Sequence, residues 1–379
     1  MTEIRKSLLH LVESSARHMW LEKLIVVLSD SDFQQELITL SQPGEINSYL
    51  KDKIPNYSAN SKIMLFRFCT VFIKIIKYLN QNPKAALLVQ GHLPAFIGSV
   101  ACKIKRIPYC YIHHNQPLYF ELLREKKPIR GFIHSKIYLF YIRNAQVIQS
   151  LSSDVTQQLI QKNVDQARII ELGPGIDFKE YELKLHTSPE VAPLKTGPTI
   201  LMVGRMAWEK NYEIAIEAMA YVLRDYPNCK MLIAGDGPLK KSLSELVSKL
   251  GLDHKVKFLG VVKNVPALMS KVDLFLHTAF TESYGQIYIE AALVDLPILT
   301  FPKGLASDQD FLNLAHITLL RHREPSSISK AIIEHIRSPI LNRRAFSENL
   351  ILYSRHNEEF IFSKISQYLQ LVTQIKETK

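Results

Sequence analysis

The sequence predicts an α/β protein of two domains, each a parallel sheet covered by helices on both faces. Three observations carry that expectation. Strand-like and helix-like segments alternate almost throughout, the pattern of βαβ units. The 379 residues exceed one ordinary core and suit two domains of roughly 150–200 residues. Residues able to do chemistry cluster just after the strand-like runs, where open parallel sheets bind ligands.

Taken in order, "TEIRKSLLHLVESSARH" (2–18) reads as a first helix and "KLIVVLSD" (23–30) as a β-branched strand ending in turn residues. "SKIMLFRFCTVFIKIIKYLNQN" (61–82) has helical length. "AALLVQGH" (85–92), "PYCYIHHN" (108–115), "AQVIQSLS" (145–152) and "ARIIELGPGID" (167–177) read as strands, with a helix over 94–106. The Pro- and Lys-bearing stretch 186–198 is the linker candidate. Beyond it come strands "TILMVGR" (199–205), "CKMLIAGDG" (229–237), "KVKFLG" (255–260), "VDLFLH" (272–277) and "PILTF" (297–301). Helices are expected over 211–226, 238–250 and 286–294. The domains are therefore set at 1–180 and 181–350. A C-terminal helix, 351–379, is expected to pack back toward the N-terminal domain.

Composition excludes several classes. With 47% hydrophobic and 22% charged residues the chain is globular rather than disordered. No apolar run reaches the roughly 18–20 residues that span a bilayer. The opening "MTEIRKSLLHLVES" lacks the apolar core of a secretory signal. Four cysteines without CxxC spacing read as reduced thiols of a cytosolic protein. The net charge of +11 is uneven. Residues 1–175 hold 22 Lys and Arg against 13 Asp and Glu, a net of +9; residues 176–379 hold 25 against 23, a net of +2. The basic half is expected to meet something anionic.

Three strand ends of the second half carry glycine, charge or both. In "GRMAWEKN" (204–211), Gly204 allows a sharp turn, Arg205 offers a fork for phosphate oxygens and Lys210 a point charge. Either they serve a diphosphate or the segment is a solvated charged loop. "GDGP" (235–238) is a turn before a helix, with or without a nucleotide contact. In "TESYGQIYIEAALVDLPIL" (281–299), a helix starting near Gly285 and Gln286 would aim the N–H groups of Gly285, Gln286 and Ile287 at the strand ends, an anion site. Glu282 precedes it, and Glu290 shares a face with Gln286. Ionised carboxylates only accept hydrogen bonds, so two acids flanking a phosphate site suit two polyols flanking a diphosphate, as in a nucleotide sugar. A capping acid plus a surface acid is the plainer alternative. In the first half His92, His113 and His114 follow strands and are either satisfied polar residues or acceptor-lining ones.

These residues resemble a family. "ESYGQIYIEA", with Glu282 and Glu290 in an E-x7-E arrangement, is similar to the signature of retaining glycosyltransferase family 4, the group 1 glycosyltransferases of GT-B fold. "VGRMAWEKN", "AGDGP" and "LGPGID" (172–177) resemble further elements of that family, in the same order. The resemblance implies two Rossmann-like domains facing a cleft, with a nucleotide-diphospho-sugar donor in the C-terminal one and an acceptor in the N-terminal one. It implies hexose transfer with retention of configuration and no metal or other cofactor. Arg205 and Lys210 would meet the diphosphate, Glu282 the donor sugar hydroxyls and Glu290 the ribose. Gly204 would turn the loop. The amides of Gly285, Gln286 and Ile287 would hold the distal phosphate, and His114 would stand at the reaction centre.

The chain departs from the family pattern at three places. The first strand and its glycine loop are expected to be missing, because residues 2–18 read as the first helix. Asp295 stands where glycine is common, tolerable if its backbone is not forced to positive φ, a region Asp visits more readily than most residues. Gly173–Pro174 replaces a Pro-Asn pair.

The basic, aromatic-rich stretch 102–144 is expected either to lie on an anionic membrane, receiving a lipid-linked or lipopolysaccharide acceptor, or to be an ordinary solvated face. The expected location is cytoplasmic, with a peripheral seat on the inner face of the membrane. No nucleic-acid-binding signature occurs, so nucleic acid is not an expected partner. Two further readings stay open: a degenerate GT-B protein that binds a nucleotide sugar without transferring it, and a nucleotide-sugar epimerase.

Overall fold

Two all-parallel sheets organise the chain, seen in a computed structural model. The structure describes residues 6–13, 19–29, 33–59, 64–113, 123, 125, 127–174, 178, 181, 183, 197–314, 316–338, 357, 360 and 363–364. By contacts the chain divides into two units, residues 1–175 with 358–379, and residues 176–357. The expected linker, but for Gly197 and Pro198, and nearly all of the expected C-terminal helix lie outside the described residues.

In the first unit the elements run β1 (Lys6–Val12), α1 (Met19–Ser29), β2 (Phe33–Thr39), α2 (Glu45–Tyr49), β3 (Asn56–Ser58), α3 (Met64–Gln81), β4 (Ala86–Gln90), α4 (His92–Lys105), β5 (Tyr109–Ile112), α5 (Pro128–Asn144), β6 (Val147–Ser150), α6 (Ser153–Gln161) and β7 (Ile169–Glu171). The sheet order is β3-β2-β1-β4-β5-β6-β7.

Here the structure corrects the sequence reading. The first strand is present, and it is central: β1 pairs in parallel with β2 on one side and β4 on the other. Residues 6–12 form that strand, and of the segment read as a strand, 23–30, all but its last residue, which lies outside the described residues, belongs to helix α1. Leu9 and Leu11 enter one core cluster while Leu8 and Val12 enter the other, on alternate residues. A strand buried on both faces loses the alternation of polar and apolar residues, and its short apolar run then resembles a buried helix. Leu21, Leu24, Ile25 and Leu28 of α1 fall at i, i+3, i+4 and i+7, all fully buried in the cluster that holds Leu8 and Val12. With β1 in place, the ground for reading the chain as a degenerate protein lacking its first strand is removed. The residues after Val12, "ESSARH", nonetheless contain no glycine.

The second unit runs β8 (Thr199–Val203), α7 (Tyr212–Asp225), β9 (Lys230–Ala234), α8 (Lys240–Lys249), β10 (Val256–Gly260), α9 (Val265–Met269), β11 (Leu274–His277), α10 (Gln286–Leu293), β12 (Ile298–Thr300), α11 (Gln309–Leu314), β13 (Ile317–Leu319) and α12 (Pro325–Arg337). Its sheet order is β10-β9-β8-β11-β12-β13. In each sheet the winding reverses once, between β1 and β4 in the first and between β8 and β11 in the second. A crevice forms at such a point, outside the carboxyl ends of the strands.

At Asp295 the backbone does take up positive φ. Its φ is 53°, so the backbone is held in the left-handed region where glycine would be unstrained. Asp visits that region more readily than most residues. Its buried carboxylate lies 3.2 Å from His316 Nε2.

Candidate functional site

The site is built on two turns that lock together backbone to backbone. After β8 the chain turns at Gly204 (φ 144°), whose carbonyl accepts a hydrogen bond from Tyr212 Oη at 2.9 Å. After β9 it turns at Gly235 (φ 130°), where an added Cβ would lie 2.0 Å from the Gly204 oxygen. A Cβ on Gly237 would meet the Met206 oxygen at 2.5 Å. Met206 N donates to the Asp236 carbonyl, and Leu239 N to the Met206 carbonyl. The "GDGP" turn therefore braces the Arg205-bearing turn, and its glycines are required by this close approach. Arg205 is exposed and makes no ion pair among the described residues.

A 3-10 turn, Trp208–Lys210, follows, and Asn211 closes it at φ 51°. Thr278 Oγ1 donates toward the carbonyls of Lys210 and Asn211 at 3.2 and 2.8 Å, and Phe280 N donates to the Glu209 carbonyl. These bonds stitch the turn to the loop after β11. They set Lys210 Nζ 2.6 Å from Glu282 Oε2, with both side chains largely buried. Burial raises the Glu282 carboxyl, but the Lys210 ammonium, with the His277 ring and the Ser283 N–H, outweighs it and holds the group below its ordinary value.

Behind the pair lies a polar chain. His277, the last residue of β11, places Nε2 3.5 Å from Glu282 Oε2 and Nδ1 2.8 Å from Tyr288 Oη. Tyr288 Oη lies 3.0 Å from Thr300 Oγ1, which donates to the Phe301 carbonyl. Burial, then the nearby Lys210 and Arg323, lowers His277 to about 3, so the ring is neutral at physiological pH.

Helix α10 begins where the sequence places it. Gly285 caps it at φ 85°, and a Cβ there would lie 2.3 Å from the Tyr288 ring. Ile289, Ala292 and Leu293 are buried as expected. Glu290 and Gln286 share a face and converge on one hydroxyl: Gln286 Nε2 donates to Tyr181 Oη at 2.7 Å, and Tyr181 Oη donates to Glu290 Oε1 at 2.9 Å.

Sequence reasoning missed Tyr181, His277, Thr278 and Arg323. Arg323 Nη1 and Nη2 donate to the carbonyls of Thr278 and Ala279 at 2.9 and 2.8 Å, and the guanidinium lies 3.8 Å from the Phe301 ring centroid. Burial lowers Arg323 to about 10, so it stays charged. No local signal marks Arg323 or Tyr181, which reach the site from more than 40 and 100 residues away along the chain. His277 had one: it ends the strand that leads into the Glu282 loop.

In the first unit, His113 is a fully buried core residue with Nε2 2.7 Å from Tyr138 Oη. His92 is buried between Tyr141 Oη, 3.0 Å from Nδ1, and His134 Nδ1, 2.8 Å from Nε2. His114 lies outside the described residues, and the loop after β7 is described only to Pro174.

Comparison with known proteins places this geometry. Residues 187–351 match the model of the glycosyl transferases group 1. The chain is 28% identical over 218 residues to an alpha-monoglucosyldiacylglycerol synthase of Acholeplasma laidlawii, covering 54% of each protein. It is 25% identical over 233 residues to a 2-deoxystreptamine glucosyltransferase of Streptomyces kanamyceticus, covering 57% of this chain and 60% of that one. The matches thus span only a little over half the length of these curated relatives. Among solved structures, Anabaena HepE in complex with UDP-glucose superposes with a TM-score of 0.71 at 19% identity, over 96% of this chain and 99% of that one. Sucrose-phosphate synthase from Thermosynechococcus elongatus gives 0.74 at 14% identity, over 99% and 100%. With its two doubly wound parallel sheets the chain has the GT-B fold, and over residues 187–351 it is similar to the glycosyl transferases group 1.

Proposed function

We propose that the chain moves a hexose from a nucleotide-diphospho-sugar to a lipid-linked, polysaccharide or lipopolysaccharide acceptor, with retention of anomeric configuration. The observation that carries this reading is the Lys210–Glu282 pair beside the glycine-capped start of α10, at the switch point of the second sheet. Cation, carboxylate and helix start there are the groups that a diphosphate and a sugar require.

In this reading Arg205, Lys210 and the amides of Gly285, Gln286 and Ile287 meet the diphosphate. They stabilise the negative charge that grows on the leaving nucleotide, while an oxocarbenium-like sugar forms beside it. Glu282 accepts hydrogen bonds from the sugar hydroxyls, and Glu290 from the ribose. Glu290 already accepts one hydroxyl, that of Tyr181, which is the same chemistry a ribose would offer. His114 is assigned to the reaction centre on the family resemblance alone. The bound UDP-glucose of the HepE structure makes that donor the first to test.

A lipid-borne acceptor is supported by α5. Ile129, Phe132 and Ile133 are exposed there among Lys127, Arg130 and Lys136, an apolar and basic surface suited to an anionic bilayer. Among the described residues no helix is long and apolar enough to cross a membrane. A peripheral seat on the cytoplasmic face fits both facts.

A thermal-shift panel of UDP, GDP and their sugars tests the donor site. UDP-glucose at saturating concentration is expected to raise Tm by several degrees, following about 2–4 kcal/mol of linkage at 100 to 1,000 times Kd. Absence of stabilisation by every member of the panel overturns the assignment. Co-sedimentation with anionic vesicles at low salt tests the membrane seat, and no binding there sinks it.

A further inference from the structure

We propose that His277 is a positioning residue that takes over the Glu282 carboxylate when Lys210 turns to the diphosphate, keeping Glu282 aimed at the hexose. The inference rests on the donor-site reading above and goes beyond it, naming a neutral donor held behind the charged pair. His277 is nearly fully buried, and among the described residues its Nε2 has no hydrogen-bond partner. A buried polar atom left without a partner is uncommon and asks for an explanation. This one lies 3.5 Å from Glu282 Oε2, the same oxygen that Lys210 holds at 2.6 Å.

The ring has little freedom to serve anything else. Nδ1 is tied to Tyr288 Oη, and the Tyr288 ring is wedged against Gly285 so closely that no Cβ fits between them. Thr300 gives its proton to the Phe301 carbonyl, so it offers Tyr288 only an acceptor. Two arrangements remain. If Tyr288 donates to Nδ1, the proton sits on Nε2 and faces the carboxylate. If it donates to Thr300, a bare Nε2 lone pair faces the carboxylate, which is electrostatically worse. The first arrangement is therefore the stable one, and Nε2–H is a donor aimed at Glu282.

Lys210 has one ammonium for two anions, the carboxylate and the diphosphate. As it moves toward the phosphates, Glu282 Oε2 loses its shortest contact. A neutral N–H already facing that oxygen can close the remaining distance and fix it, without adding a charge that would hold the phosphate or the carboxylate too tightly. The sugar hydroxyls then meet a preorganised acceptor. The hand-over affects the sugar, not the nucleotide.

Calorimetric titration of UDP and UDP-glucose into the wild-type chain and into His277→Phe and His277→Gln tests this. His277→Phe is expected to leave the Kd for UDP within about twofold and to weaken UDP-glucose about tenfold, the size of one charge-assisted hydrogen bond. His277→Gln, which keeps an N–H of similar reach, is expected to recover most of that loss. Equal weakening of both ligands, an unchanged ratio in His277→Phe, or a Gln variant as defective as the Phe one overturns the hand-over. Nitrogen NMR of the wild-type histidines needs no variant: the Nε2-protonated tautomer and a shift of Nε2 with UDP and with UDP-glucose, both of which carry the diphosphate, are expected, and the Nδ1 tautomer or an Nε2 unmoved by both ligands overturns it. A wild-type chain that binds neither ligand overturns the donor site itself, and the hand-over with it.

Discussion

At the scale of single residues the second unit concentrates charge where burial makes it costly. Lys210 and Glu282 are each worth keeping only together: removing the ammonium leaves an almost buried carboxylate that burial would push up. Lys210→Met is therefore expected to weaken binding of a nucleotide diphosphate by at least about tenfold, read by calorimetry, and to lower Tm as well. Asp295 makes a different prediction. Its left-handed backbone costs any residue with a Cβ, while its carboxylate partly compensates through His316. Asp295→Ala, which keeps the strain and loses the contact, is expected to cost about 1–2 kcal/mol in denaturant unfolding. Asp295→Gly, which loses both, is expected to stay within about 1 kcal/mol of the wild type. Gly285, Glu282 and Glu290 were legible from spacing alone, because a glycine between a strand and a helix and two acids around it are local facts. His277 and Arg323 were not, because what matters about them is what burial does to their neighbours.

At the scale of elements, legibility followed the number of buried faces. Of the second-unit helices, the three expected, α7, α8 and α10, appear where the sequence places them, α10 starting at Gln286 after its glycine cap. The pair β1 and α1 was read in reverse because both are short apolar runs. Only the burial of Leu9 and Leu11 on one face and of Leu8 and Val12 on the other identifies the strand. Helix α12, which no motif announces, packs Ile328 and Ile332 into the second core beside Met219 and Val222 of α7. Ile332→Ala is expected to cost about 2–5 kcal/mol in chemical denaturation, since it opens a cavity in a fully buried site. On α5 the opposite holds: Ile129→Ser and Ile133→Ser remove exposed side chains, so Tm should hold while vesicle binding falls.

For the whole molecule, buried histidines set the response to acid. Burial lowers His10 and His92 to about 4 and His277 to about 3, against an ordinary value of 6.5. Above pH 6.5 these groups are neutral whether the chain is folded or not, and they contribute no pH dependence. As the pH falls from 6.5 toward 4, the unfolded chain takes up protons that the folded one cannot, so stability is lost through that window. Glu282 adds to the loss at lower pH, because its folded value lies below the ordinary 4.5. Thermal unfolding from pH 7.5 to 4.5 is expected to show Tm falling throughout the lower part of this range. His10→Gln, in the first core, should flatten the fall; a flat profile in the wild type would contradict the buried neutral histidines. The alternation of segments determined an α/β chain with parallel sheets, and the order of its glycines, cations and acids determined the resemblance to a family and the donor-site candidates. These are properties of short spacing, readable along one strand end at a time. Tertiary structure alone decided that the first strand lies at the centre of its sheet, that the "GDGP" turn braces its neighbour, and that Lys210, Glu282, His277 and Tyr288 form one connected chain. Each depends on which surfaces are removed from water and which backbones touch, and burial of that kind is set by residues far apart in sequence.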